Sequence, residues 1–402
     1  MKRANDMKRL FNLILCTALL AGCAGTSLPT DSAGENVQQI QYDWMAGESP
    51  VSPERTGTYN NAIDQLQNGF EVTESGCYWM CEGILLYCDH GSDEVIRLCG
   101  RPDCQHQDYS CNAHFNAGRN ICYYDGYLYV TRSSELLRLN LDGSERITVL
   151  KPVDLVQKGG IGCRSPHICN GVYSVGLFYL DENGADQCDY YYATLDSGLD
   201  TMEQMLPYGV AQTVGDKMTV MDHEDNKMYL WDPKNNETTF LTEATGRGYY
   251  GETENWYIQD GVIYRNVYAE NKPEAMLDTR LDGGHALHCF HDCIVVSNYP
   301  TDEQWANFEK VTEQILRFYN WEFEFLGEVK LNYPGALEPY NPICGESHER
   351  IYLADSMDHV PRYYIEKADL GTENITIHKL NLPDDLERML DEDGGVGIFF
   401  GS

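Results

Sequence analysis

From about residue 70 onward, apolar and polar positions alternate in short runs broken by turn residues. Tyr123-Tyr124-Asp125-Gly126-Tyr127-Leu128-Tyr129-Val130 shows the unit most clearly: two aromatic-rich runs around an Asp-Gly pair. Alternation of this kind is that of β-strands, and Asp-Gly between two of them signals a hairpin. Strong helical periodicity is absent over most of this stretch. The unit reads as an inner strand, a turn, a Tyr-rich strand, a third strand ending near Leu-Asp-Gly, and a fourth.

The unit recurs. Copies begin around Gly76-Cys77-Tyr78-Trp79 with Ile84-Leu85-Leu86, at Tyr123, at His167-Ile168-Cys169-Asn170-Gly171, and at Lys217-Met218-Thr219-Val220. Further copies begin at Trp256-Tyr257-Ile258-Gln259-Asp260-Gly261, at Asp292-Cys293-Ile294-Val295 and at Arg350-Ile351-Tyr352-Leu353. Starts fall roughly 35 to 55 residues apart, the period of four-stranded propeller blades. One small antiparallel sheet cannot bury both its faces, whereas radial stacking buries each sheet against two neighbours. The expectation is an all-β chain forming a β-propeller of about seven four-stranded blades. Six or eight blades fit the spacing, and a pair of sandwiches or a β-solenoid is the competing arrangement.

Two short stretches depart from this pattern. Thr301 with Gln304 forms a capping box and predicts a helical insertion to about Val311. Asp384 with Glu387 predicts a short helix ending near Leu390. Gly397-Ile398-Phe399-Phe400 reads as a closing strand or a frayed end.

The first 68 residues follow a different rule. Lys2, Arg3, Lys8 and Arg9 precede an apolar run from Leu10 to Leu20, too short to span a bilayer as a permanent helix. Leu20-Ala21-Gly22-Cys23 then resembles the bacterial lipobox, which implies removal of residues 1–22 and a diacylglyceryl lipid on Cys23. Two or more acyl chains anchor more firmly than one. The competing reading is an ordinary secretory signal with a chance cysteine. Residues 23–68, rich in Gly, Ser, Thr, Asn and Gln, read as a flexible tether, and 69–402 as the propeller domain. The expected location is therefore the extracytoplasmic face of a bacterial membrane, with the lipid as the membrane partner.

The formal net charge of −34 changes the list of partners. Nucleic acid needs a basic footprint, so nucleic-acid binding is excluded as an expectation. Solubility is the plainest consequence of the charge, and cationic ligands are compatible with it.

Of 15 cysteines, Cys16 leaves with the leader and Cys23 is the lipid site, so the remainder is odd and cannot pair completely within one chain. Three of them sit with a histidine in Leu98-Cys99-Gly100-Arg101-Pro102-Asp103-Cys104-Gln105-His106, which runs on to Cys111-Asn112-Ala113. Cys99, Cys104, His106 and Cys111 form a ligand set suited to structural zinc. Cys104 and His106 would face opposite ways on an extended segment, so the loop must curl, as Gly100 and Pro102 allow. A disulfide between two of the cysteines, or free thiols, is the alternative. Either staple would hold a loop with little core of its own.

The same stretch carries a family resemblance. Leu-Cys-x-x-Pro-Asp-Cys-x-His with Cys-Asn-Ala, then Tyr-Asp-Gly-x-Leu-Tyr and Leu-x-Arg-x-x-Leu-Asp-Gly, resembles a group of propeller-type lipoproteins of anaerobic bacteria. The likeness is sharp over residues 84–145 and diffuse elsewhere. It implies a propeller on the outer face of a membrane and brings no activity with it.

Other arrangements point less far. Cys77 with Cys81, Cys163 with Cys169, and Cys289 with Cys293 are candidate local disulfides or small buried residues. His285, His288 and His291 with Cys289 and Cys293 make a second His/Cys group. Asp181-Glu182-Asn183-Gly184 and Asp391-Glu392-Asp393-Gly394 lack the full oxygen-ligand run of a Ca2+ loop and read as turns. Trp231, Trp256, Trp305 and Trp321 are core residues by default and sugar-stacking residues otherwise. No Gly-x-Ser-x-Gly, His-Glu-x-x-His or phosphate loop occurs. The expected function is a binding or interaction module that takes a protein, peptide or glycan. The alternative is a propeller hydrolase or lyase acting on carbohydrate, and a third reading is a peripheral subunit of an envelope complex.

Overall fold

A computed structural model describes residues 69–392, apart from 107–109, 116–119, 133–134, 151–161, 181–185, 198–202, 205–207, 223–224, 245–247, 282–283, 300–312, 334, 337–340 and 356–359. The sequence-predicted leader, the lipid site Cys23 and the tether lie outside the described residues, as do the helical insertion from Thr301 and the segment around Phe399.

The described chain is a seven-bladed β-propeller, each blade a four-stranded antiparallel meander. Blade 1 holds β1 (Phe70–Val72), β2 (Gly76–Cys81), β3 (Ile84–Asp89) and β4 (Val95–Arg97). Blade 2 holds β5 (Asn120–Tyr124), β6 (Tyr127–Arg132), β7 (Glu135–Asn140) and β8 (Arg146–Leu150). Blade 3 holds β9 (Gly162–Cys169), β10 (Val172–Leu180), β11 (Asp186–Thr194) and β12 (Glu203–Gln204). Blade 4 holds β13 (Tyr208–Val214), β14 (Lys217–Asp222), β15 (Lys227–Asp232) and β16 (Glu237–Glu243). Blade 5 holds β17 (Gly248–Tyr250), β18 (Glu254–Gln259), β19 (Val262–Val267) and β20 (Glu274–Asp278). Blade 6 holds β21 (Gly284–Cys289), β22 (Ile294–Tyr299), β23 (Ile315–Tyr319) and β24 (Phe325–Lys330). Blade 7 holds β25 (Ile343–Glu346), β26 (Arg350–Ala354), β27 (Pro361–Glu366) and β28 (Ile377–Lys379), and α1 (Asp384–Glu392) follows where the sequence predicts a helix.

The alternation along each middle strand explains the ring. In β2, Cys77, Trp79 and Cys81 face a core shared with blade 7, while Tyr78 and Met80 face a core shared with blade 2. In β26, Tyr352 and Ala354 enter the first of these cores and Ile351 and Leu353 enter a core shared with blade 6. A strand that is apolar on both faces can only be satisfied between two other sheets, and successive side chains point to opposite faces.

The phase of the repeat differs from the sequence expectation. In blades 2 and 3, Asp125-Gly126 and Asn170-Gly171 join the first strand to the second, but Glu82-Gly83 and Asp260-Gly261 join the second to the third. The strands expected to open blades 1, 4, 5, 6 and 7 are second strands. Such pairs, with positive φ at both residues, suit any tight hairpin regardless of its place in the blade. Leu141-Asp142-Gly143 likewise lies between the third and fourth strands of blade 2, whereas Leu281 lies beyond the fourth strand of blade 5.

The ring closes between blades 1 and 7 without exchanging a strand. Phe70 and Tyr352 rings lie 4.9 Å apart, and the Cys77 thiol donates to the Tyr352 hydroxyl at 3.3 Å. Arg350 donates to Glu366 at 2.9 Å and to the Ser92 carbonyl at 2.5 Å, and stacks 4.0 Å over Tyr364. Tyr364 donates to Asp93 at 2.7 Å, and Asp385 of α1 pairs with Arg97.

Candidate metal centre

The connection from β4 to β5 is the longest described excursion around blade 1. Leu98 and Phe115 anchor it in the core shared by blades 1 and 2. Between these anchors its described buried apolar residues are Cys99, Cys111 and Ala113, with Cys104 packed against them. Backbone bonds hold its ends: Leu98 donates to Leu85 at 2.9 Å, Leu85 to Ala113 at 2.8 Å and Phe115 to Gly83 at 2.7 Å. Between those ends the loop curls as its sequence predicts. Cys104 N–H closes a turn on the Arg101 carbonyl at 3.2 Å, and His106 takes a left-handed φ of 54°. Gly100 is required where it stands, because a Cβ there would lie 2.6 Å from the Asp142 carbonyl oxygen.

This curl brings Cys99, Cys104, His106 and Cys111 together, their ligand atoms all within 4.8 Å of one another. His106 Nδ1 lies 3.3 Å from Cys111 Sγ, so Nδ1 is the nitrogen that faces the thiols. A tetrahedral zinc with Zn–S of about 2.3 Å places its donor atoms about 3.5–3.8 Å apart. Modest contraction reaches that geometry, so the four residues fit a metal and could hold one.

The electrostatics suit thiolate ligands. Burial alone raises the Cys99 thiol, but N–H groups of Arg101 and Asn112 and the neighbouring Cys104 and Cys111 thiols bring it below its ordinary value. Burial, opposed by the Ala113 N–H and helped by the adjoining Cys104 and Cys99, pushes Cys111 up to about 12. The thiols thus compete for one favoured negative charge, a conflict that a divalent cation removes. Burial and the nearby Arg97 lower the His106 pKa, which keeps the imidazole neutral, as a ligand must be.

Blade 2 grips the loop from outside. Asn112 Nδ2 donates to the Gly143 carbonyl at 2.7 Å and the Ser144 carbonyl at 3.1 Å. Arg146 of β8 donates to the carbonyls of Cys111 at 2.8 Å and His114 at 2.6 Å, with its guanidinium 5.4 Å from the Phe115 ring centre.

The remaining candidates separate. Cys77 with Cys81 and Cys163 with Cys169 each lie along a single strand, about 13 and 20 Å apart by strand rise, too far for a disulfide. Cys289 and Cys293 enter different cores on opposite faces of blade 6. Cys77, Cys81, Cys289 and Cys293 are buried and in no disulfide, as are Cys99 and Cys111 of the loop. The second His/Cys group does not assemble among the described residues: His288 is buried with Asn341 donating to its Nε2 at 3.1 Å, and the His291 backbone N–H goes to Glu346. Trp231, Trp256 and Trp321 are core residues, and Trp305 lies outside the described residues.

Sequence reasoning missed the buried acids. Glu71 of β1 is held by the Tyr123 N–H, its other oxygen has no partner among the described residues, and burial pushes its pKa up to about 8. Burial pushes Glu346 up to about 7, against the pull of Lys367, which it and Asp292 flank. Glu254 accepts from Trp256 at 2.9 Å and from Arg265 at 2.8 Å. A lone acid inside an apolar strand, as in Phe70-Glu71-Val72, is the signal that marked the first of these.

No family model matches the chain, and no curated protein does. Solved structures do. A puromycin-hydrolysing peptidase of Mycobacterium tuberculosis matches at TM-score 0.46 and 10% identity, over 82% of this chain and 56% of its own. A putative TolB from Agrobacterium tumefaciens matches at TM-score 0.32 and 16% identity, over 51% and 78%. Apo AztD from Citrobacter koseri matches at TM-score 0.38 and 9% identity, over 68% and 87%. At such identities and overlaps nothing about activity passes from these proteins to this chain.

Proposed function

We propose that this protein is a lipid-anchored binding module of the bacterial envelope, whose propeller presents loops to a protein, peptide or glycan on the extracytoplasmic side. The observation that carries the binding reading is where the ring spends its conspicuous chemistry. Arg350, Glu254 and Glu346 with Lys367 tie strands and blades together, and the Cys/His cluster ties a connecting loop. Such a ring is a rigid scaffold whose connecting loops are left to make contacts, the usual division of labour. The basic region, apolar run and Leu20-Ala21-Gly22-Cys23 support the anchor.

Cys99, Cys104, His106 and Cys111 hold a structural zinc in this reading. Four protein ligands complete a tetrahedron, the pattern of a structural site and not of a catalytic one. The ion staples the loop and performs no chemistry.

Expression in a bacterium with lipoprotein maturation tests the anchor. The wild type is expected in the membrane fraction and labelled by a fatty-acid probe, and Cys23→Ser is expected to be soluble and unlabelled. A wild type that stays soluble and unlabelled contradicts it. The binding half is tested with the soluble form on peptide and glycan arrays. Saturable binding supports it, whereas turnover of an arrayed glycan replaces it with the hydrolase reading.

A further inference from the structure

A zinc held by three thiolates and one neutral imidazole carries a net charge of −1. The net charge of the chain is already strongly negative, and the site is partly buried, so the extra charge needs a partner. Arg146 is placed to be that partner, although it belongs to a different blade. Its side chain reaches from β8 to the carbonyl of Cys111, the last metal ligand in the chain, and to that of His114 just after it. The Phe115 ring covers the guanidinium from the side.

Resting on the zinc reading above, we propose that Arg146 is the positioning residue of the metal centre: it offsets the charge of the site and couples metal loading to the docking of blade 2 against blade 1. The geometry fits both tasks. Two carbonyls fix the guanidinium in one orientation, and both belong to the segment that the metal must hold still. A planar fork with several donors suits a pair of carbonyls, whereas an ammonium on a flexible stem supplies charge without that clamp. Loss of a residue that orients a metal ligand typically weakens metal binding about 10- to 100-fold.

The test is zinc affinity of the full chain under reducing conditions, read by competition with a chelator of known affinity. Thermal midpoints are recorded with and without metal. Arg146→Ala is expected to weaken zinc binding by about 10-fold or more. Arg146→Lys is expected to recover part of that loss, since it restores charge but not the two-carbonyl clamp. A merely architectural arginine would lower the midpoints of the metal-free and metal-loaded forms equally and leave the zinc affinity unchanged, and that result overturns the proposal. Should Arg146→Ala not fold, Arg146→Gln carries the same comparison with the side-chain length kept. A wild type that takes up no zinc overturns the underlying metal reading, and this proposal with it. A wild type that binds zinc with an affinity indifferent to Arg146 overturns this proposal alone.

Discussion

Blade 1 is held differently on its two flanks. Toward blade 7 it buries Phe70, Trp79, Cys77 and Leu86 against Tyr352, Ala354 and Tyr364, with Arg350, Asp93 and Arg97 bridging outside. Toward blade 2 it has a second apolar core, but the loop that follows β4 is held by backbone bonds, Asn112, Arg146 and the Cys/His cluster. The seam has apolar area to bury, so burial and packing dominate there. Between Leu98 and Phe115 the loop has almost none, so the order of that segment rests on directed bonds to a few atoms. Where a chain offers side chains of size, packing suffices, and where it offers only small and polar residues, directed bonds take over.

The strongest challenge to this contrast is on the seam. Trp79→Ala is expected to cost about 3–5 kcal/mol, read as a lower denaturation midpoint. The loss should be the same with zinc or with chelator. A zinc-dependent loss would mean that the two flanks are one cooperative unit. Metal removal comes next: binding to the native state at a hundredfold excess over Kd is worth about 2.7 kcal/mol, which chelation should abolish. Cys99→Ser and His106→Ala should each weaken the response to zinc, and a variant that keeps it in full would point to a metal bound elsewhere.

The inner edge of the blade 1–blade 2 flank gives a third test. The folded-state pKa of Glu71 is raised to about 8 from 4.5, so the carboxyl is neutral in the fold while it ionises in the unfolded chain. Stability from this group is fully present below about pH 4.5 and is lost as pH rises toward 8. The slope is at most about 1.4 kcal/mol per pH unit. Glu71→Gln should flatten that decline across this window, and an unchanged pH profile would show that Glu71 is hydrated or ionised in the fold. The smallest effect belongs to Phe240 on the outer strand of blade 4, which is 52% exposed: Phe240→Thr should stay within about 0.5 kcal/mol of the wild type.

Much of the ring was legible in the sequence because its cause is periodic. Alternation in Tyr123–Val130 and its six relatives announced strands, and their spacing announced blades. The phase was not legible: Glu82-Gly83, Asp125-Gly126 and Asp260-Gly261 have the same backbone requirement while joining different strand pairs. The cluster at Cys99, Cys104, His106 and Cys111 was legible because its ligands lie close in sequence. Arg146 and the Gly143 and Ser144 carbonyls were not, since they reach the loop from another blade and nothing local marks them. The candidate disulfides failed for a related reason. Cys77 and Cys81 are close along the chain, but a strand holds residues at that spacing far apart.

The account turns on whether the loop after blade 1 is ordered by coordination. X-ray absorption at the zinc edge, on the full chain purified under reducing conditions, reads this directly. The account predicts one zinc per chain with three sulfurs at about 2.3 Å and one nitrogen at about 2.0–2.1 Å, reduced to a sulfur-only protein shell by His106→Ala. A preparation without stoichiometric zinc, or a shell of oxygen and nitrogen alone, would contradict it.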